Sequence, residues 1–392
     1  MLSYPFKFLS NTIRVSINPT FKKEDVIDQL GLTDSNRYSS IKNEKKKNEF
    51  VSSRAALSKA CGQISGLKYE GKKPVIDNAF ISLSHCDKGA AACYSEELEL
   101  GIDIEVERRI MKRISSKFTT QKEFEVFKCS QQDALQFIWG IKESLFKLYG
   151  FGDLDFKEHL EIVSFDWDET TKKGWGMAWI HKTCADRPYE IQCLVQVAKM
   201  DKYYVCIASH RKKMDHFTSS RTQLREWEPS DASWLYELNS NPEVIRYTGD
   251  AGFTNEESAL EIIKTYPNYQ LYGYGRWMVI DKISKMPFGW CGLKNNSWGI
   301  DLSFRFFEQH WGKGLATECA SATIEQARKL HLNGLVGRAL SPNIGSWMVL
   351  EKVGMKRLKS TPIKEATSDF YLAPKNLKAW HGQMLFTYKI DF

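Results

Sequence analysis

The stretch WGIKESLFK, Trp139 to Lys147, places a carboxylate, Glu143, one helical turn before an ammonium, Lys147. An i,i+4 pair of this kind makes a surface ion bridge worth about 0.2–0.5 kcal/mol, or it presents an acid and a cation to a common ligand. A second group of acids lies in LGIDIE, where Ile102 and Ile104 alternate with Asp103 and Glu105. On a strand that alternation sends both carboxylates to one face. Two like charges a pleat apart repel, which a solvated face tolerates and a hard divalent cation with oxygen ligands turns into an advantage. Metal-assisted phosphate chemistry and two plain polar faces are both open from these residues alone.

A third candidate is QHWGKGLATE, Gln309 to Glu318, between the alternating segment IDLSFRF and a helical pattern through Ala316, Cys319, Ala320, Thr323, Ala327 and Leu330. A strand, then glycines, then a helix start aims backbone N–H groups at an anion such as a pyrophosphate. Glycines also simply turn chains.

Each of these groups needs an element to hold it. In the helix expected over Asp133 to Tyr149, Ala134, Ile138, Ile141, Leu145 and Leu148 form an apolar stripe, with Glu143 on the opposite side and Lys147 beside it. Helical patterning also covers Glu44 to Cys61, and a strand is expected near Leu98 to Val106. β-rich segments follow near Leu160 to Asp166, Gly174 to His181, Tyr189 to Val197 and Lys202 to Ser209. The polar, basic HRKKMDHFTSSRT then reads as a linker, placed at 211–220. LREWEPSDASWLYELN starts afresh as a short strand and a helix capped by Ser230 or Asp231. The class is α+β, in two domains, 1–210 and 221–392.

The 392 residues exceed what one core usually serves, and 42% hydrophobic with 26% charged residues fits a folded soluble chain. No secretory leader or membrane span is expected, so a cytoplasmic location is. Nine cysteines without a CxxC pair argue against a disulfide framework and a zinc site, and are expected to be reduced thiols. A net charge of +7 suits an acidic partner or a phosphorylated cofactor, but the chain lacks the interleaved aromatic and basic motif of a nucleic-acid binder.

The ordered series FVSSRAALSK, GKKP, SLSH, LGIDIE and WGIKESLFK resembles the long, monomeric, surfactin-type 4′-phosphopantetheinyl transferases over residues 1 to 210. The resemblance implies two similar α/β halves, about 1–99 and 100–210, with coenzyme A in the cleft between them. It implies transfer of phosphopantetheine to a serine of an acidic acyl or peptidyl carrier protein by a monomer, with Mg²⁺ held by Asp103, Glu105 and Glu143. Glu143 or a water is the implied base, and Lys147 reaches a phosphate. Arg54, Ser84, His85 and Lys73 match positions that contact the coenzyme's phosphates, although GKKP leaves Lys72 or Lys73 open. Family members more often carry serine, cysteine or alanine where this chain has Gly140. The cluster Lys42 to Lys47 is a candidate basic rim or a solvated helix face.

QxxGxG at Gln309, Gly312 and Gly314, with LREWEPSDASWLYELNSNPEVIRY before it and ALSPNIGSWMVLEKVGMKR after it, resembles the GNAT acyltransferases, in particular their ribosomal-protein N-acetyltransferase branch, over about 220–392. The resemblance implies acetyl transfer from acetyl-coenzyme A to an amine. The backbone of Gly312, Lys313, Gly314, Leu315 and Ala316 would hold the pyrophosphate. Asn343 would lie near the pantetheine arm or cap a helix; Ser346 would protonate the thiolate; Asp301 would be a base, an amine-orienting group or an exposed strand residue. A bifunctional coenzyme A-dependent transferase is expected, the alternative being a phosphopantetheinyl transferase whose GNAT part is a recruitment module.

Overall fold

A computed structural model of the chain describes residues 13–18, 30–62, 67–70, 73–87, 89–108, 110–184, 187–248, 252–363 and 382–392. It divides into two compact units, Met1–Lys212 and Lys213–Phe392.

The first unit opens with strand β1 (Arg14–Asn18), helices α1 (Leu32–Ser40) and α2 (Glu44–Cys61), a hairpin of β2 (Lys68–Glu70) and β3 (Lys73–Val75), and strands β4 (Phe80–Cys86) and β5 (Gly89–Ser95). β1, β5 and β4 form an antiparallel sheet in that order. Helix α2 starts at Asn43, whose side chain accepts from Lys46 N, and ends at Gly62 in the left-handed region. Its apolar side, Val51, Ala55 and Leu57, packs on Ile81 and Ala92 of that sheet.

Strand β6 (Glu99–Val106) follows, then short helices α3 (Met111–Ile114) and α4 (Gln121–Glu125), the long α5 (Gln131–Tyr149), and strands β7 (Leu160–Asp168), β8 (Lys173–Cys184), β9 (Arg187–Met200) and β10 (Tyr203–His210). The five strands make an antiparallel sheet ordered β6-β10-β9-β8-β7. The stripe of α5 expected from its spacing, Ala134, Ile138, Ile141, Leu145 and Leu148, lies in the core beneath it. Ile102 and Ile104 of β6 face a separate core with Val205 and Ile207. Both faces of β6 are therefore covered.

No ladder joins β4 to β6. Serine hydroxyls do so: Ser82 Oγ accepts from Ile102 N at 3.1 Å, and Ser84 Oγ from Ile104 N at 3.3 Å. The SLSH motif thus supplies side-chain acceptors where a neighbouring strand would supply carbonyls.

The second unit contains β11 (Phe217–Thr218), β12 (Thr222–Arg225), helices α6 (Ala232–Ser240), α7 (Pro242–Ile245), α8 (Glu256–Thr265) and α9 (Asn268–Tyr272), strands β13 (Arg276–Asp281), β14 (Pro287–Asn296) and β15 (Gly299–Phe306), helix α10 (Leu315–Lys329), strand β16 (Gly334–Leu340), helix α11 (Ile344–Lys352), and strands β17 (Lys356–Pro362) and β18 (Met384–Asp391). All eight strands share one sheet, ordered β11-β12-β13-β14-β15-β16-β18-β17. β11 falls inside the stretch read as a linker and pairs with β12. Helix α10 packs through Cys319, Ala320, Thr323 and Ala327, with Thr323 Oγ1 3.4 Å from Cys291 Sγ of β14. β15 and β16 run parallel and pair only at Asp301 and Val336, beyond which they splay.

No described helix is long and apolar enough to cross a membrane, and the cysteines described are free thiols.

Candidate functional sites

In the first unit the site is set by two close approaches of α5 to the sheet. A Cβ on Gly101 of β6 would sit 1.8 Å from Ser144 O, and one on Gly140 of α5 would sit 2.6 Å from Cys206 Sγ of β10. Both glycines are needed where they stand. Ser144 Oγ completes the contact, donating a hydrogen bond to Gly140 O or Cys206 O, each at 2.8 Å. Gly140 is explained by Cys206: the sulfur fills the space that a side chain at 140 would take.

The acids next along that face of β6, Asp103 and Glu105, are thereby drawn under α5. They are 4% and 9% exposed, so the solvated-face reading of LGIDIE is excluded. Lys147 Nζ lies 2.7 Å from Asp103 Oδ1 and donates to Ser84 Oγ at 2.8 Å. Arg108, just past the strand, lies 2.6 Å from Glu105 Oε2. Burial, then the charge of Asp103, pushes the Glu105 carboxyl up to about 7, and the same two causes in the same order raise Glu143. The three acids thus share one field.

A divalent cation fits this donor set in its chemistry. Asp103 Oδ2 is buried without a hydrogen-bond partner among the described residues, and burial and the Asp103 charge make two of the three carboxyls resist ionisation, a cost that a hard cation among them would relieve. No group of three or more His, Cys, Asp or Glu among the described residues is gathered closely enough to hold a metal as the side chains stand, and Lys147 neutralises Asp103 instead.

The residues expected at the coenzyme's phosphates divide. His85 is exposed, with Nε2 3.3 Å from Glu49. Lys147 is a quarter exposed and reaches the acids. Arg54 is 5% exposed, and its fork meets Asp34 (2.9 and 3.0 Å), Ser53 and Tyr69. Ser84 is likewise saturated, donating to Asp103 Oδ1 at 2.9 Å while accepting from Lys147 and Ile104, so it positions the acid and the lysine. Lys73 donates to Leu148 O at 2.8 Å across the C-terminal end of α5, and burial lowers its pKa; Lys72 lies outside the described residues.

One residue of WGIKESLFK escaped the sequence reading. Lys142 is wholly buried, 2.7 Å from both Glu123 Oε1 and Phe156 O. Glu123 in turn accepts from Thr120 N and Ile162 N, so this buried pair ties α4, α5 and β7 together. The only signal in the sequence is a lysine next to the apolar stripe.

In the second unit the splay of β15 from β16 opens into a cavity of about 520 Å³. Gly312, Gly314, Leu315 and Ala316 line it, with Asn343 and Ser346 opposite. Gly312 and Gly314 have φ of 71° and 75°, the left-handed turn that leads into α10. Arg221 holds this loop, donating to Lys313 O at 3.1 Å and to Glu318 at 2.7 Å. Asn343 caps α11, its side chain accepting from Ser346 N at 3.3 Å. Gln309 and Lys313 flank the lining residues in sequence. Asp301 is not among them: it stands where the two strands still pair, on the other side of the splay's origin.

The chain matches the 4′-phosphopantetheinyl transferase superfamily over residues 99–208 and the acetyltransferase (GNAT) domain over 221–356. Both transferase domains are present. The phosphopantetheinyl transferase family uses coenzyme A and acts on carrier proteins. Among curated proteins, the uncharacterized N-acetyltransferase p20 of Bacillus licheniformis is 26% identical over 149 residues, 37% of this chain and 84% of that protein. The uncharacterized protein YkkB of Bacillus subtilis is 28% identical, covering 36% and 86%. Among solved structures, a GNAT-family acetyltransferase from Bacillus anthracis aligns with a TM-score of 0.37 and 20% identity over 45% of this chain and 98% of its own.

Proposed function

We propose that the chain is a bifunctional coenzyme A-dependent transferase. The first unit, in the manner of the surfactin-type enzymes with their two similar halves, moves 4′-phosphopantetheine from coenzyme A to a serine of an acidic acyl or peptidyl carrier protein. The second, in the manner of the ribosomal-protein acetyltransferases, moves acetyl from acetyl-coenzyme A to an amine. The observation that carries the first reading is the convergence of Asp103, Glu105, Glu143 and Lys147 at the crossing of α5 over β6.

Asp103, Glu105 and Glu143 would hold Mg²⁺, which supplies neutralisation of the pyrophosphate when bound. The serine oxygen bonds to the phosphorus, the bond to adenosine 3′,5′-bisphosphate breaks, and the serine proton passes to Glu143, whose raised affinity for protons suits a base. Lys147 and His85 meet phosphate oxygens. In the second unit, N–H groups of residues 312–316 hold the second pyrophosphate. The amine nitrogen bonds to the acetyl carbon, the carbon–sulfur bond breaks, and the proton lost by nitrogen reaches sulfur through Ser346.

Incubation with coenzyme A, Mg²⁺ and an apo carrier protein is expected to add one phosphopantetheine mass to the carrier. Asp103→Asn is expected to slow this on the order of a hundredfold while leaving the melting temperature within a few degrees, since a charge that organises transition-state phosphate is lost without a change of shape. Full-rate transfer by that variant would defeat the assignment.

A further inference from the structure

Arg221 lies in the tight turn between β11 and β12, where Ser219 N donates to Thr222 O at 2.9 Å. The turn is docked on α10: Arg221 N donates to Glu318 Oε1 at 2.6 Å, Ser219 Oγ donates to the same oxygen, and Thr222 Oγ1 is 3.5 Å from the buried Cys319 Sγ. The guanidinium, half exposed, spans two partners, with Nε donating to Glu318 Oε2 at 2.7 Å and Nη1 to Lys313 O at 3.1 Å. Its Nη2 stands 3.8 Å from the place a Cβ on Gly314 would take. A side chain just past the stretch expected to be a linker is thus committed to the loop before α10.

The C=O and N–H of a trans peptide point in opposite directions, so a carbonyl held on one side aims the next amide to the other. Lys313 O is held on the Arg221 side, and Lys313 does not line the cavity. Gly314, whose amide shares that peptide, does line it, and its N–H has no acceptor among the described residues. A glycine at φ 75° would let this peptide turn over at little cost, and the bond from Arg221 opposes that. Arg221 also answers a charge. Burial raises the Glu318 carboxyl, and the bonds from Ser219 and Arg221 outweigh it, so that a carboxylate sits in the first turn of α10 with a guanidinium against it.

Resting on the acetyltransferase reading, we propose that Arg221 is a positioning residue for the pyrophosphate of acetyl-coenzyme A: by fixing Lys313 O it presets the Gly314 N–H as a donor to a phosphate oxygen, without itself touching the coenzyme.

The test titrates the full chain with acetyl-coenzyme A or with S-acetylpantetheine, which lacks the pyrophosphate. Amide exchange is read in peptides spanning residues 312–318 and 343–348, which separates this site from the first unit. Arg221→Gln is expected to raise the acetyl-coenzyme A concentration for half-protection about tenfold or more, the size of one hydrogen bond to a charged group, and to leave that for S-acetylpantetheine at 343–348 unchanged. It should also speed exchange at Gly314 in the unliganded chain, while the melting temperature stays within a few degrees, as for a half-exposed ion pair. Arg221→Lys keeps the charge but cannot span both partners, so it should restore only part of the affinity; it is the variant read if Arg221→Gln does not fold. Adding Glu318→Gln to Arg221→Gln separates charge from anchoring, and the weakened binding should persist. Full recovery in that double variant, equal weakening of both ligands, or unchanged acetyl-coenzyme A binding overturns this inference alone. Absence of any protection of 312–318 by acetyl-coenzyme A in the parent chain overturns the acetyltransferase reading and this inference with it.

Discussion

Replacing Gly140 by alanine sets two effects of opposite sign against each other. Alanine is favoured over glycine in a helix interior by about 1 kcal/mol. The new Cβ, however, would stand 2.6 Å from Cys206 Sγ and 3.3 Å from its Cβ, both in a fully buried residue. Ser144 fastens helix to strand at this point, so neither can withdraw, and overpacking of this kind costs about 1–3 kcal/mol. The sum is a net loss of roughly 1 kcal/mol, a fall of about 2–4 °C for a unit of this size. With Cys206→Ala already in place the sulfur is gone and only the tighter-than-usual Cβ contact remains, so Gly140→Ala should then be neutral or stabilise by up to about 1 kcal/mol. The coupling in the double-mutant cycle is therefore expected at about 1–3 kcal/mol. Urea unfolding, with amide exchange in α5 to identify the transition of the first unit, gives the four values. Additive changes, or stabilisation by Gly140→Ala in the native background, would refute the packing argument.

Three further outcomes follow from the same structure. Lys142→Met strands a buried Glu123 carboxylate and should cost about 3–5 kcal/mol; a loss under about 1 kcal/mol in thermal unfolding would show the pair to be dispensable. Burial lifts Glu226 from 4.5 to about 7, so between those values the folded state binds more protons than the unfolded one and stability falls as pH rises. Glu226→Gln lacks that slope, and its melting temperature relative to the parent should climb from pH 5 to pH 8; a constant difference contradicts the assignment. Gly314→Val places a β-branched residue at φ 75° in the loop before α10 and should abolish thermal stabilisation by acetyl-coenzyme A, which retained stabilisation would disprove.

What could be read from the sequence was what neighbours in the chain decide. Helix α5 and strand β6 fall within two residues of their expected bounds because period and caps are local signals. The apolar stripe of α5 and the shared face of Asp103 and Glu105 follow from the same periodicity. The helix start near Ser230 or Asp231 was also legible, although the Asp231 carboxylate accepts from Arg225 at 2.7 and 2.8 Å and from Glu228 N at 2.8 Å rather than from the amides of α6. Partners far along the chain were not legible. Arg54 meets Asp34 across a fold of the chain, Lys142 meets Glu123, and Gly140 meets Cys206; nothing at either residue of a pair announces the other. Burial of the LGIDIE acids was hidden for the same reason, since the helix that covers them comes later in the chain.

The serine seam between β4 and β6 has one more consequence. A backbone ladder survives almost any substitution, because its donors and acceptors belong to the peptide itself. Here the hydrogen bonding between β4 and β6, over a core the two sheets share, hangs on single oxygen atoms of Ser82 and Ser84, which one base change can delete. Rigidity beside the acids is thus a heritable and separately adjustable quantity, and the exchange rates of the Ile102 and Ile104 amides are its gauge.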